Sequence, residues 1–411
     1  MMVPRDLIFA LLSSVGSRAS MLCLSVLGVR LLSIDDYGRF AYYLSIVASL
    51  GTVAAVGTGV TLNMYFARHG TSNREAARKL MFTSVTLTSV LSLLITVVTF
   101  WLLRGAHGTE GAELGLLLGA LIWLIGLNGI AEGTLNGLSM YRRLAINSFT
   151  TLLFTALGAG AAMIAWGFWG GMLGMLGFRL SALVLNLRPL LDERLFTLRL
   201  PIHTLREREI ISTFSGISLP AMLGGVMVGP VLAMAFRMAS EHPDGFRGIA
   251  YFSWIQQLYL IAVFVPGALG GFFITRLSQS SDHAMAFKIM SRNALFAVAV
   301  TIPFFLLKPW LLGFGGFGNS EPAQLAFDLM AAAVILFSLN AAFASYWPAS
   351  GQGWMGFAAN FLWAALFLAT VSLGVGRLGA VSLALAYVVA YSGQLLAQTA
   401  LYSYLVRKAS K

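Results

Sequence analysis

The sequence predicts an all-α polytopic membrane protein, with twelve transmembrane helices in two six-helix lobes related by a pseudo-two-fold axis. Three observations carry that reading. Of 411 residues, 58% are hydrophobic and only 10% are charged, with a mean hydropathy of +0.81; a soluble chain carries about a quarter charged residues. Apolar runs of about 20 residues, the length of a bilayer span, follow one another almost end to end. The second half of the chain also echoes the first. A membrane β-barrel is excluded, because barrel strands alternate polar and apolar residues and these runs are continuous.

The first expected span, 7–31, is too long for a signal peptide and lacks a small-residue cleavage site, so it reads as a retained helix. It holds Cys23, the sole cysteine, which leaves no intramolecular disulfide and no sign of redox or metal chemistry. It also holds Arg18, on a polar strip with Ser14 and Ser25 at helical spacing. An arginine near a span centre costs about 2.5–3.5 kcal/mol on insertion scales and normally faces a polar cavity. Arg18 therefore reads as a cavity cation that meets phosphate, or as a structural cation bonded between helices.

Spans 2 and 3 cover 40–63 and 80–103. Span 4, 114–138, places Asn128, Glu132 and Asn136 on one face at i, i+4 and i+8. Glu132 is expected to pair with an arginine, Arg142 and Arg143 being close in sequence, or to carry a coupling proton. Span 5 is 145–166. Span 6, 168–188, carries the second deep arginine, Arg179, with Asn186 two turns on. Its Gly170, Gly171, Gly174 and Gly177 suit close packing, which would equally shield a structural arginine.

A charged connector, 189–209, separates an N-terminal lobe, 1–188, from a C-terminal lobe, 210–411. Span 7, 210–236, contains Pro220, Gly224, Gly225, Gly229 and Pro230; proline removes a backbone donor and glycine loosens a helix, so these read as a hinge or gate, or as a fixed kink. Span 8, 248–273, brings Trp254, Gln256, Gln257 and Tyr259. Spans 9 to 11 are 291–312, 324–346 and 354–375. Span 12, 379–403, sets Tyr387, Tyr391, Gln394, Gln398 and Tyr402 on one stripe. Such a stripe suits sugar hydroxyls by stacking and hydrogen bonding, or a neighbouring helix with its polar tips paired.

The net charge of +11 sits mostly in short loops, the pattern of topology signals rather than of nucleic-acid binding. Loops on the N-terminal side hold 18 basic residues and those on the opposite side 7, which places both termini in the cytoplasm. Trp101, Trp166, Trp169 and Trp310 fall at outer span ends, and Trp347 and Trp354 flank an inner turn, as interfacial belts require.

The internal repeat is local. Arg30-Leu31-Leu32-Ser33 leads to Phe40-Ala41-Tyr42-Tyr43, and Arg237-Met238-Ala239-Ser240 leads to Ile249-Ala250-Tyr251-Phe252, at an offset of 207 to 209. Both copies run in the same sense across the membrane, as in parallel repeats that flank a midplane site.

Gly16-Ser17-Arg18, Val29-Arg30-Leu31-Leu32-Ser33 and Asp36-Tyr37-Gly38-Arg39-Phe40 make the first 70 or so residues resemble the polysaccharide-transporter branch of the multidrug/oligosaccharidyl-lipid/polysaccharide (MOP) exporter superfamily. That resemblance implies a MATE-like V-shaped pair of bundles, alternating access and an undecaprenyl-pyrophosphate-linked oligosaccharide as cargo, moved to the periplasmic leaflet of a bacterial inner membrane. Other partners it implies are membrane lipids, a polymerase and further polysaccharide-assembly proteins. No cofactor is expected, and coupling to protons or sodium is open. A MATE-like drug or cation antiporter wants deep carboxylates, whereas the deepest charges here are arginines. A membrane-embedded polymerase or glycosyltransferase wants a sizeable extramembrane loop with acid–base residues, and the sequence has none.

Overall fold

The computed structural model describes residues 5–55, 57–71, 74–193, 227–264, 284–349 and 353–409, and they are helical nearly throughout. The first half holds α1 (Arg5–Leu31), α2 (Ile34–Ala55), α3 (Thr58–His69), α4 (Arg74–Gly137), α5 (Tyr141–Phe154), a π-helical turn (Thr155–Ala159) and α6 (Gly160–Asp192). The second half holds α7 (Val228–Ser240), α8 (Gly245–Ala262), α9 (Ala284–Phe314), α10 (Glu321–Ala349), α11 (Gly353–Leu378) and α12 (Val381–Ala409). Among the described residues, eight segments are long and apolar enough to cross a membrane.

Glycine turns reverse the chain within α4 and within the longest of these segments. The stretch Tyr141–Asp192 has 52 residues, about 78 Å of helix against a hydrocarbon core of about 30 Å. It doubles back at Gly167, whose φ of 53° is left-handed. A Cβ on Gly174 would lie 2.6 Å from that of Ala159, and one on Gly170 would fall on the carbonyl oxygen of Ala162; residues on the two sides of the turn therefore lie against each other. Similarly, α4 reverses at Gly108, φ 63°, bringing Gly115 against the Phe100 backbone and Gly119 against Thr96. The second span starts earlier than its apolar run, at Ile34, and comprises α2 and α3, bent by 50° at a break beside the left-handed Gly57. Helices α7 and α8 are the described parts of the seventh and eighth spans, and residues 194–226 and 265–283 lie outside the described residues. In the stretch expected to be a connector, α6 continues to Asp192 before description stops.

The repeat is visible in where the chain turns. Left-handed glycines at 108 and 167 recur at 316 and 379, with φ of 63° and 53° against 79° and 52°. The short break between α1 and α2 recurs between α7 and α8. Glycine enters this region without the Cβ penalty, so the two halves carry it at equivalent turns. By its contacts the chain divides into two compact units: Met1–Asp36 with Tyr43–Pro230, and Tyr37–Tyr42 with Val231–Lys411.

In the first unit α3 lies directly on the second half of α4. Gly59 and Gly133 face each other so closely that a Cβ on Gly133 would fall on the Gly59 carbonyl oxygen. Leu62, Phe66, Leu80, Met81, Leu124, Leu135 and Leu190 form the core there. Leu93, Leu102, Ile164, Leu306 and Leu373 are among the large apolar side chains left exposed, as a lipid-facing surface requires. Trp101, Trp166, Trp310 and Trp354 are exposed as well, and the Arg104 guanidinium lies 5.5 Å from the Trp101 ring. Trp347 departs from the expected belt. It is fully buried, because its indole N–H has a partner inside the second unit.

Candidate functional site

The first unit brings Glu132 of α4 and Arg179 of α6 near each other beside Met21 of α1. Asn128 on α4 is buried and donates through Nδ2 to the carbonyl of Arg179 on α6 at 2.8 Å, and to Leu124 one turn back at 3.0 Å. This bond ties the polar face of α4 to the turn of α6 that carries the arginine. The Arg179 guanidinium lies 4.8 Å from the ring centroid of Phe178 and points one terminal nitrogen at the sulfur of Met21 on α1, 3.9 Å away. Thioether sulfur is a weak acceptor. Glu132, one turn beyond Asn128, is half-buried, and it and Arg179 act on each other electrostatically. They do not close into a contact ion pair: the described ion pairs within 4.0 Å involve other residues. Nε of Arg179 and Oδ1 of Asn128 are both buried without a hydrogen-bond partner.

The acidic residue thus has an arginine neighbour, but a different one from those nearest in sequence: Arg142 and Arg143 are exposed at the start of α5. Asn186, expected to share the Arg179 face, is buried and accepts a bond from Asn147 on α5 at 2.9 Å. Arg18 stands at the midpoint of α1 and is exposed, as is Ser14 one turn earlier, whose hydroxyl bonds back to Ala10. Ser25, the third member of the strip, is buried. Arg18 and Met21 are one turn apart on α1, so α1 brings Arg18 to the same unit as Arg179.

The aromatic–amide stripe of α12 faces the interior of the second unit. Tyr387, Gln394, Gln398 and Tyr402 are buried and Tyr391 is half-buried. Tyr387 accepts a hydrogen bond from Gln256 on α8 at 2.9 Å, and Tyr259 donates to Tyr391 at 3.1 Å. Gln398 accepts from the Trp347 indole at 2.8 Å and donates to Asn340 at 2.7 Å; Asn340 in turn donates to the Tyr391 carbonyl at 3.0 Å. Gln394 donates to Asn360 on α11 at 3.1 Å. Rings of Phe337, Trp363 and Phe367 pack against Tyr387 and Tyr391 with centroids 5.1 to 6.2 Å away. The stripe's polar tips are therefore paired with α8, α10 and α11. Trp254 belongs elsewhere, bonding the Leu311 carbonyl of α9 at 3.0 Å. Asn340 and Asn360, lone amides in apolar spans, are members that sequence spacing did not single out.

Of the hinge candidates, Pro220, Gly224 and Gly225 lie outside the described residues. Gly229 and Pro230 sit in the first turn of α7. The N–H groups of a first turn have no intrahelical acceptor, so Pro230 removes no helical bond there. Asp328 forms a two-oxygen ion pair with Lys308 at 2.7 and 2.8 Å, linking α9 and α10 near their shared turn. Among the described residues no group of three His, Cys, Asp or Glu side chains is placed to hold a metal ion.

Neither a protein-family model nor a curated protein matches the sequence. Solved structures do match the fold. A multidrug resistance MATE family transporter of the MOP superfamily, inward-facing, superposes with a TM-score of 0.75 at 15% identity, over 97% of this chain and 99% of that one. An outward-facing one gives 0.68 at 16% identity, over 98% and 96%. A MOP superfamily transporter from Pyrococcus furiosus, described as having a binding pocket of reverse polarity, gives 0.61 at 15% identity, over 97% and 96%. At 15–16% identity the likeness is one of fold. This chain has the fold of the MATE transporters of the MOP superfamily: an all-α, multi-pass membrane protein of two helical lobes.

Proposed function

We propose that this chain is an alternating-access exporter whose cargo is an undecaprenyl-pyrophosphate-linked oligosaccharide, such as an O-antigen, capsule or exopolysaccharide repeat unit. It carries that cargo from the cytoplasmic to the periplasmic leaflet of a bacterial inner membrane, with both chain termini in the cytoplasm. The observation that carries the reading is the sign of the intramembrane charge. In the first unit two arginines, Arg18 and Arg179, lie at span depth against one carboxylate there, Glu132, and of the two Arg179 acts on it. A cationic interior suits an anionic cargo, and guanidinium matches phosphate in geometry while keeping its charge in a dry site. The resemblance of the first 70 or so residues to polysaccharide transporters supports the same cargo.

Glu132 also supports a second reading, a MATE-like drug or cation antiporter, since such a transporter needs a deep carboxylate. Arg18 separates the two. Arg18→Ala is expected to abolish surface glycan display in a complementation assay at normal protein levels, and Arg18→Lys to restore only part of it, because a lysine keeps the charge and loses the bidentate fork. Full display in the alanine variant, together with export of a cationic drug that requires Glu132, would replace the flippase reading by the antiporter.

A further inference from the structure

The Arg179 neighbourhood holds more unmet polar capacity than a structural ion pair would leave. Nε of Arg179, a donor, is buried and without a partner. The guanidinium stacks on Phe178 and offers a terminal nitrogen to a sulfur, while Glu132 acts on it from a distance without bonding. A buried ion pair offsets its desolvation only when its geometry is good and its remaining donors are satisfied. Here neither condition holds, although Asn128 fixes the α6 backbone at Arg179 from the same helix that carries Glu132. The arginine is held in position while its counter-charge is held off.

We infer that an anion site is centred on Arg179 with Glu132 as its distant counter-charge, and that an arriving phosphate takes over the balancing of Arg179, the carboxylate then accepting one proton from solvent. The inference deepens the proposed function, since it assumes that the cargo is anionic. Its physical basis is charge conservation in a low-dielectric interior. With Glu132 ionised, the site holds one positive and one negative charge. A phosphate group that joins them would leave Glu132 as a second buried anion with no counter-charge, and an uncompensated buried charge is far costlier than a neutral acid. Proton uptake removes that cost: the carboxylate oxygen gains an O–H, no other bond forms or breaks, and the proton leaves when the anion does. Arg179, from α6, is the charge that acts on Glu132; from α5, Arg142 and Arg143 do not figure among the groups that do so. Export of an anion and movement of a proton would then be linked through one side chain.

The test uses the full-length protein purified in detergent and sulfate as probe, because sulfate has the tetrahedral shape of a phosphate and does not titrate between pH 5 and 9. In weakly buffered solution containing an indicator dye, wild-type protein is expected to take up close to one proton per sulfate bound. Its affinity is expected to fall about tenfold per pH unit where Glu132 is ionised, as one-proton linkage requires. Glu132→Gln should bind sulfate with no proton uptake and a flat pH profile. Glu132→Met serves as a second variant if the amide destabilises the fold, and Arg179→Gln should lose sulfate binding. Sulfate binding without proton uptake in the wild type, uptake that persists in both Glu132 variants, or no sulfate binding at all would each overturn the exchange. The two readings fail separately. Sulfate–proton exchange with glycan display indifferent to Arg18 and Arg179 would keep the anion site and remove the flippase cargo. Display that needs both arginines, with no protons linked to sulfate, would do the reverse.

Discussion

Replacing Gln398 by leucine tests whether the α12 stripe holds helices together or reads a sugar. The side chain is 4% exposed and bridges two helix–helix bonds, accepting from Trp347 at 2.8 Å and donating to Asn340 at 2.7 Å. Leucine keeps most of the volume and removes both. Hydrogen bonds between membrane helices are worth about 0.6 kcal/mol on average and up to about 1.7, so the two bonds account for about 1–3 kcal/mol. The replacement also strands two groups. The Trp347 indole is fully buried under Phe343 and Tyr346, with ring centroids 6.1 and 5.2 Å away, so water has no ready route to its N–H. Stranded buried groups cost about 1–3 kcal/mol each, a cost that overlaps with the lost bonds, and a total of about 2–4 kcal/mol is expected. Unfolding of the purified protein in mixed micelles by titrated SDS measures it. A double-mutant cycle with Trp347→Phe isolates the indole bond, expected at about 0.6–1.7 kcal/mol. A Gln398→Leu protein with unchanged stability and a lost ability to export one glycan would refute the packing argument and make Gln398 a sugar contact.

Other outcomes follow from the same geometry. Gly133→Ala is expected to cost about 1–3 kcal/mol by forcing α3 off α4, because the new Cβ would meet the Gly59 carbonyl oxygen. Gly177→Ala, where a Cβ meets nothing within 4 Å, is the matched control in the same unfolding assay, and equal losses in the two would contradict the close approach. A complementation panel of several lipid-linked glycans separates recognition from packing across the stripe. Alanine at Tyr387, Tyr391 or Gln394 should lower display evenly through lost stability, whereas a loss confined to particular sugars would assign these side chains to the cargo.

The amino-acid order by itself determined the class of this protein and where most of its spans lie. Hydropathy over about 20 residues is a local property, and a membrane demands that each spanning segment satisfy its backbone internally; span positions can therefore be read without knowing their neighbours. The turn glycines were not legible in that way: among 43 glycines, only the structure shows that Gly108, Gly167, Gly316 and Gly379 adopt φ values that most side chains resist. Many of the polar residues at span depth were legible as exceptions against an apolar run, whereas Asn340 and Asn360 were not singled out by spacing.

Tertiary structure decided which of those polar residues meet. Helical spacing puts Tyr387, Tyr391, Gln394 and Gln398 on one face of α12, but which helices that face meets depends on packing more than a hundred residues away in sequence, as the bond from Gln256 to Tyr387 shows. Trp347 looked interfacial because it lies near a span end, and its burial follows from its bond to Gln398 on α12, 51 residues on in sequence. Glu132 has basic neighbours ten residues on in sequence, yet the charge that acts on it belongs to Arg179 on α6. A guanidinium held near a carboxylate without touching it results from the approach of α1, α4 and α6, and that arrangement exists only once the three helices pack.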